Sequence, residues 1–269
     1  MILADTGPIW LIGCGNMGGA MLRRWIAAGL DPARVTVITR SGTGAPEGVR
    51  SLTAIPDEPV PDTVMLALKP QQIDAAQALL APLGGRIRLL VSILAGVDHA
   101  TLAERFAAET IVRAMPNLPV AIGKGVTTLY TAGGDAAAVM EVEALASLLG
   151  HYEWIADERH FDAVTALAGC GPGFVFRFAD ALATAGAALG LPADQAARLA
   201  IATLEGSAIM AAAAEESPAV LADRVASPGG STRAGLNVLD RDDALVGLLT
   251  DTLAASAARN AEMAAAARR

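Results

Sequence analysis

Two glycine-rich segments carry the residues of this chain best suited to chemistry. The first is Gly13-Cys14-Gly15-Asn16-Met17-Gly18, which fits G-x-G-x-x-G after a short apolar run. In that pattern Gly13 permits a tight turn, Gly15 lets backbone approach a pyrophosphate, and Gly18 allows close packing of helix on strand. Unpaired N–H groups at the helix start then favour negative phosphates. A plain strand-to-helix turn is the alternative reading of the same residues.

The second segment runs from Ser227 to Thr232, "SPGGST", inside sequence that otherwise reads as alanine-rich helix. Within a helix, proline and glycine cost roughly 3 and 1 kcal/mol against alanine, so they need a reason to be there. Ser227 reads as an N-cap and Pro228 as the first helical residue, which makes the segment a helix start. Gly229 and Gly230 offer bare backbone, and Ser231 and Thr232 add hydroxyls at the same end. This is a small anion site suited to one carboxylate, with Thr232 able to reach a polar atom beside it. A capped corner without a ligand is the plainer alternative.

The end of the second strand bears on the cofactor. A fold that prefers NAD places Asp or Glu there, on the ribose hydroxyls. This chain has Thr39, Arg40 and Ser41, with no acid until Glu47. A guanidinium among hydroxyls suits a 2′-phosphate, so NADPH is expected, with NADH the alternative. Arg40 as a simple cap on a surface strand is the competing reading. "LKPQ" (68–71) and "SILAGV" (92–97) fall at the carboxyl ends of later strands, the edge where open parallel sheets bind ligands. From spacing alone, Lys69-Pro70 reads as a strand stop. Pro116, Asn117 and Pro119 form a stiff turn on the same edge, placed to hold the Asn117 amide against a nicotinamide.

These residues need a scaffold, and the first half supplies an alternating one. Strands are expected at Ile9–Ile12, Val35–Thr39, Thr63–Leu68, Arg88–Leu94 and Thr110–Met115, with closing strands at "VTTLY" and Tyr152–Ile155. Helical stretches follow the glycine turn up to Gly29, at Gln71–Leu80, at Asp98–Phe106 and at Asp135–Leu149. Continuous apolar strands spaced by helices indicate a parallel sheet covered on both faces. From about Glu158 no strand pattern remains. Phe174–Leu189 and Ala193–Glu215 read as helices apolar around most of their circumference, which calls for burial on several sides. The expectation is an α/β protein: a doubly wound, mostly parallel Rossmann-type sheet over 1–157, then an all-helical substrate-binding and dimerisation domain over 158–269. "AGCGPG" (168–173) reads as a tight corner between helices, with Pro172 in a first turn.

Composition narrows the field. The chain has 269 residues, 53% of them hydrophobic, and a formal charge of −8. Mean hydropathy is +0.44 and the pI near 4.9, an acidity that argues against nucleic acid as the main partner. Much of the apolar content is alanine. The longest uncharged stretch, Thr6 to Leu22, is broken by five glycines and a proline, so no comfortable span of about 20 apolar residues is expected there. It also makes a poor signal peptide, and a cytoplasmic setting is the default. Cys14 and Cys170 are too few for a disulfide framework, and no Cys/His cluster has metal-site spacing.

"IGCGNMGGA", "TRS", "LKPQ", "SILAGV", "RAMPN", "GCGPGFVF", "GLP" and "SPGGSTRAGLNVLD", in this order along nearly the whole chain, resemble the pyrroline-5-carboxylate reductase family. The resemblance implies hydride transfer from NAD(P)H to the C=N carbon of 1-pyrroline-5-carboxylate, the last step to proline. It also implies homodimers with interleaved C-terminal helices, often gathered into larger rings. By the resemblance, Gly230, Ser231 and Thr232 hold the substrate carboxylate, and Thr232 hydrogen-bonds the ring nitrogen. Glu215 falls near a family acid, a loose match. Cofactor contacts carry over onto Gly13, Gly15, Asn16, Met17, Gly18, Arg40, Ser41, Leu68, Lys69, Pro70 and Asn117. The chain departs from the pattern at Cys170 (commonly serine), Gly173 (alanine), Leu118 and Ser231 (threonines) and Asp240 (glutamate), which keeps a six-membered cyclic imine carboxylate open as substrate. A β-hydroxyacid dehydrogenase would need a lysine in the helical half, and the two lysines, Lys69 and Lys124, both lie in the first half. A non-catalytic NADPH-binding protein is the remaining alternative.

Overall fold

The computed structural model describes residues 7–267. Its centre is an eight-stranded sheet of β1 (Ile9–Ile12), β2 (Val35–Ile38), β3 (Arg50–Leu52), β4 (Thr63–Leu66), β5 (Ile87–Ser92), β6 (Ala108–Pro116), β7 (Gly125–Tyr130) and β8 (Gly150–Trp154). The strand order is β3-β2-β1-β4-β5-β6-β7-β8, and only β6 with β7 pairs antiparallel. β1 is flanked by β2 and β4 in parallel register, Ile9 beside both Val35 and Thr63. The chain therefore reverses direction across the sheet at β1, which opens a crevice at the carboxyl ends of β1 and β4.

The apolar runs alternate between two cores, as the two-residue repeat of a strand requires. Ile9 and Leu11 face one side, with Met21, Leu22 and Trp25 of α1 (Asn16–Ala27) and Val142 and Leu145 of α4 (Ala136–Ser147). Trp10 and Ile12 face the other, with Ile73 and Leu80 of α2 (Ile73–Leu80) and Leu102 of α3 (His99–Arg105). Each such fully buried side chain contributes about 1.5–3 kcal/mol. The Trp25 indole N–H donates to the Leu145 carbonyl at 2.9 Å and ties α1 to α4. The strands fall where the apolar runs place them, with β2, β4 and β5 a residue or two shorter and β6, β7 and β8 longer than expected. β3 was not expected: it is a three-residue edge strand with no apolar run, held by parallel pairing with β2.

The helical half comprises α5 (Phe161–Val164), α6 (Gly171–Ala188), α7 (Ala193–Ala213), α8 (Pro218–Arg224), α9 (Ser231–Leu239) and α10 (Ala244–Ala267). The chain packs as two compact units, Met1–Cys170 with Ser256–Arg269, and Gly171–Ala255. These do not coincide with a division at 157/158, because 158–170 and the end of α10 pack on the sheet unit. There, Ser256 donates to the Cys170 thiol at 3.3 Å, and a Cβ on Gly96 would lie 3.2 Å from the Ala264 backbone. Between α5 and Cys170 the chain makes a π-helical turn, Thr165–Gly169, closed by the Cys170 N–H on the Thr165 carbonyl at 2.8 Å.

The second unit has almost no core of its own. α6 buries no residue and α7 only Ala196 and Ala200, while Val175, Phe176, Ile201, Ile209 and Met210 lie exposed. By length and composition alone α7 is long and apolar enough to cross a membrane; it lies outside the Thr6–Leu22 stretch.

Candidate functional site

The carboxyl edge of the sheet holds a cleft of about 930 Å3 between the glycine turn, the β2–β3 loop and the end of β4. Gly13 sits at φ +94, and a Cβ there would come within 2.4 Å of the Ala67 carbonyl oxygen. A Cβ on Gly18 would lie 2.8 Å from Ala67 Cβ, so α1 could not pack so closely on β4. Gly15 is different: a Cβ there would meet nothing within 4 Å. Its bareness serves access to the cleft rather than packing. Gly15 is also the N-cap of α1 and offers no side-chain acceptor. The first-turn amides of Asn16, Met17 and Gly18 are thus left for an anion.

Thr39, Arg40, Ser41 and Thr43 line the far wall, with the Ser41 and Thr43 hydroxyls 2.8 Å apart. Ala67, Leu68, Lys69 and Gln72 close the near wall, where the Lys69 N–H donates to Gln72 Oε1 at 3.2 Å. Among the described residues, the lining contains two cations, Arg40 and Lys69, and no carboxylate. An adenosine ribose bearing a 2′-phosphate fits that charge balance, and one held by an acid does not. Cys14 donates its thiol to the Gly44 carbonyl at 3.4 Å, which joins the glycine turn to the β2–β3 loop. Burial pushes the Cys14 thiol above its ordinary range, with Arg23 pulling weakly the other way.

Of the expected cofactor residues, Gly13, Gly15, Asn16, Met17, Gly18, Arg40, Ser41, Leu68 and Lys69 meet in this cleft. Pro70 does not line it but opens the 3-10 turn Pro70–Gln72 behind Lys69. Asn117 does not line it either. Its side chain is buried and committed to the fold, accepting from the Val126 N–H at 2.8 Å and donating to the Ala168 carbonyl at 2.9 Å. Ile93, in the "SILAGV" stretch expected at the ligand edge, also lines the cleft, as do Thr43, Ala67 and Gln72, for which the sequence suggests no role.

The second glycine segment lies in the other unit and differs from the expected helix start. Ser227 is not the N-cap and Pro228 is not the first helical residue. Instead the Gly230 N–H donates to the Ser227 carbonyl at 2.9 Å, with Gly229 at φ +72. That is a four-residue turn with Pro228 at its second position and glycine at its third, where positive φ is required. A Cβ on Gly230 would fall 2.6 Å from Ser227 Oγ. Gly230 is the N-cap of α9, and no side chain caps it. The N–H groups of Ser231, Thr232 and Arg233 therefore head a bare helix start, and both hydroxyls are exposed. The Arg233 guanidinium is tied to Asp223 at 2.6 Å. Glu215 is exposed, just beyond the end of α7.

Residues 158–263 match the family model for pyrroline-5-carboxylate reductase dimerisation, and residues 8–96 match one described as NADP oxidoreductase, coenzyme F420-dependent. A pyrroline-5-carboxylate reductase of Pisum sativum is 33% identical over 270 residues, covering 97% of this chain and 98% of the relative. This chain belongs to the pyrroline-5-carboxylate reductase family. The Pseudomonas aeruginosa pyrroline-5-carboxylate reductase is 34% identical, over 97% of this chain and 98% of its own. Among solved structures, the Coxiella burnetii pyrroline-5-carboxylate reductase superposes with a TM-score of 0.85 at 30% identity, covering 96% of this chain and 98% of that one. The Plasmodium falciparum pyrroline carboxylate reductase, solved with NADP bound, gives 0.78 at 25% identity over 96% of this chain and 98% of that one. The exposed apolar helices of the second unit lie within the span that the reductase dimerisation model matches.

Proposed function

We propose that this chain reduces 1-pyrroline-5-carboxylate to proline with NADPH. The observation that carries the reading is the cleft itself: free amides at a glycine turn for the pyrophosphate, and Arg40 with hydroxyls, but no acid, where the adenosine ribose would lie. End-to-end identity with named reductases supports the same substrate. The first-turn amides of α1 hold the pyrophosphate, Arg40 and Ser41 the 2′-phosphate, and Leu68 and Lys69 the opposite wall, with Pro70 fixing their turn. Asn117 acts on this edge through the backbone it braces. When bound, NADPH supplies the hydride that the imine carbon accepts.

The chain's own residues then have three tasks. The amides of Ser231 and Thr232, exposed by bare backbone at Gly229 and Gly230, take the substrate carboxylate. The Thr232 hydroxyl donates to the ring nitrogen and holds it as the carbon is reduced. Glu215 contributes negative charge near the cationic imine. A protonated imine is already electrophilic, so orientation and exclusion of water are the main demands on the protein.

The functional division at 157/158 places cofactor binding before it, and substrate binding and dimerisation after it. Two copies pair through the C-terminal helices, which supports a homodimer and, from such dimers, a larger ring. The protein works in the cytoplasm, with neither nucleic acid nor membrane as partner. The test is NADPH consumption by the purified chain with pyrroline-5-carboxylate and, separately, with its six-membered analogue. Turnover with the five-membered ring is expected to have the higher kcat/KM. The reverse order would move the substrate to the larger ring, and turnover with neither would overturn the proposal.

A further inference from the structure

We propose that Glu158 anchors the far end of the segment between β5 and α3, whose first residue, Ile93, lines the nucleotide cleft, and so positions that residue without touching the cleft itself. Arg113 of β6 has a side chain only 7% exposed. A guanidinium at that depth needs a counter-charge, and loss of one partner leaves the other buried and unpaired. Glu158 supplies it. The Oε1 that pairs with Arg113 also accepts the backbone N–H of His99 at 2.7 Å. The Arg113 guanidinium lies 3.7 Å from the Phe161 ring centre, so it is held by charge on one side and by a ring face on another. His99 opens α3, where a helix leaves N–H groups without internal acceptors. One carboxylate thus joins β6, the start of α3 and its own 3-10 turn, Glu158–His160.

The segment 93–98 runs from the end of β5 to that anchored amide. At its near end, Ile93 donates to the Leu66 carbonyl at 3.0 Å and Leu94 to Ser92 Oγ at 3.3 Å. At its far end, Asp98 caps the Thr101 N–H at 2.8 Å, and Glu158 holds His99. Ile93 lines the cleft. A short segment held firmly at both ends is preorganised, and loosening its far end, where the Asp98 cap alone would remain, adds an ordering cost when the ligand arrives. Glu158 therefore acts through the His99 amide as a positioning residue, separate from its role as counter-charge to Arg113.

Those two roles can be pulled apart. The inference rests on NADPH as the ligand, so hydrogen exchange of the free protein is measured beside NADPH affinity and the thermal midpoint. Glu158→Gln keeps a carbonyl for the His99 N–H but removes the charge. It should lower the thermal midpoint and leave exchange at 94–99 and the NADPH Kd within about twofold. Glu158→Ala removes both, and exchange there and Kd should each rise about tenfold. Adding Arg113→Met to Glu158→Ala should restore much of the thermal midpoint while exchange and Kd stay raised. Recovery of all three in the double variant, or a Gln variant as impaired in Kd as the Ala variant, would overturn the positioning role. Wild-type protein that fails to bind NADPH would overturn the functional reading instead, and the exchange pattern would still decide whether Glu158 anchors the segment.

Discussion

Arg40 offers the sharpest measurement of cofactor choice. It sits on the cleft wall beside Ser41 and Thr43, with no carboxylate in the lining to compete for it. A hydrogen bond to a charged group contributes about 1.5–3 kcal/mol. Arg40 is solvent-exposed, so screening keeps its share to the lower half, about 1.5–2 kcal/mol. Each 1.4 kcal/mol is about tenfold, so Arg40→Ala should weaken NADPH about 10- to 30-fold. NADH has no 2′-phosphate and should change by less than about twofold, while kcat with NADPH holds steady, because this is binding remote from the reacting ring. Fluorescence titration gives the two affinities, and steady-state kinetics with NADPH gives kcat. The NADPH penalty should also shrink at high salt. If NADH weakens as much as NADPH, or if the unaltered protein prefers NADH, the guanidinium does not read a phosphate and the charge argument fails.

Thr232→Ala should lower kcat/KM by about tenfold to a hundredfold, the effect of one directed hydrogen bond to the reacting group; unchanged kinetics would remove Thr232 from the mechanism. Cys14, whose thiol burial holds above its ordinary value of 9.0, should alkylate slowly at neutral pH and be shielded further by NADPH. Because that value is raised by folding, its stabilising effect is complete below the unfolded thiol's pKa and fades as pH rises through the folded one; labelling at pH 7 as fast as a free thiol would contradict it. Asn260 is buried with its Nδ2 unpaired, so Asn260→Leu should raise the thermal midpoint by about 2–4 °C, and a fall would mean the amide has a partner. Phe176 is 59% exposed in the isolated chain, and Phe176→Asp should shift sedimentation toward monomer, each copy losing about 1.5–3 kcal/mol of apolar burial; an unchanged assembly would place the dimer contact elsewhere.

The sequence by itself determined the sheet, the glycine turn and most of the cofactor cleft. Those features are local: a strand buried on both faces must be apolar throughout, and a turn that approaches phosphate must lack side chains. Thus the apolar runs located seven of the eight strands, and nine of the eleven residues expected at the cofactor line one cleft. β3 escaped because three residues at a sheet edge carry no periodic signal, and its strand character comes from pairing with β2.

Tertiary structure decided what local chemistry leaves degenerate. Ser-Pro suits a helix N-cap and the first half of a turn equally well, and the folded chain takes the turn, with Gly230 bonded locally back to Ser227 and Gly229 at positive φ. Asn117 carries an amide that could meet a ligand or a backbone, and Val126 and Ala168 took it. The end of α10 packs on the sheet unit, which alanine-rich sequence could not announce, because a helix lined with alanine looks the same from every side. Residue type fixes which contacts a side chain can make; only the folded chain, by bringing distant backbone within reach, fixes which one it does make.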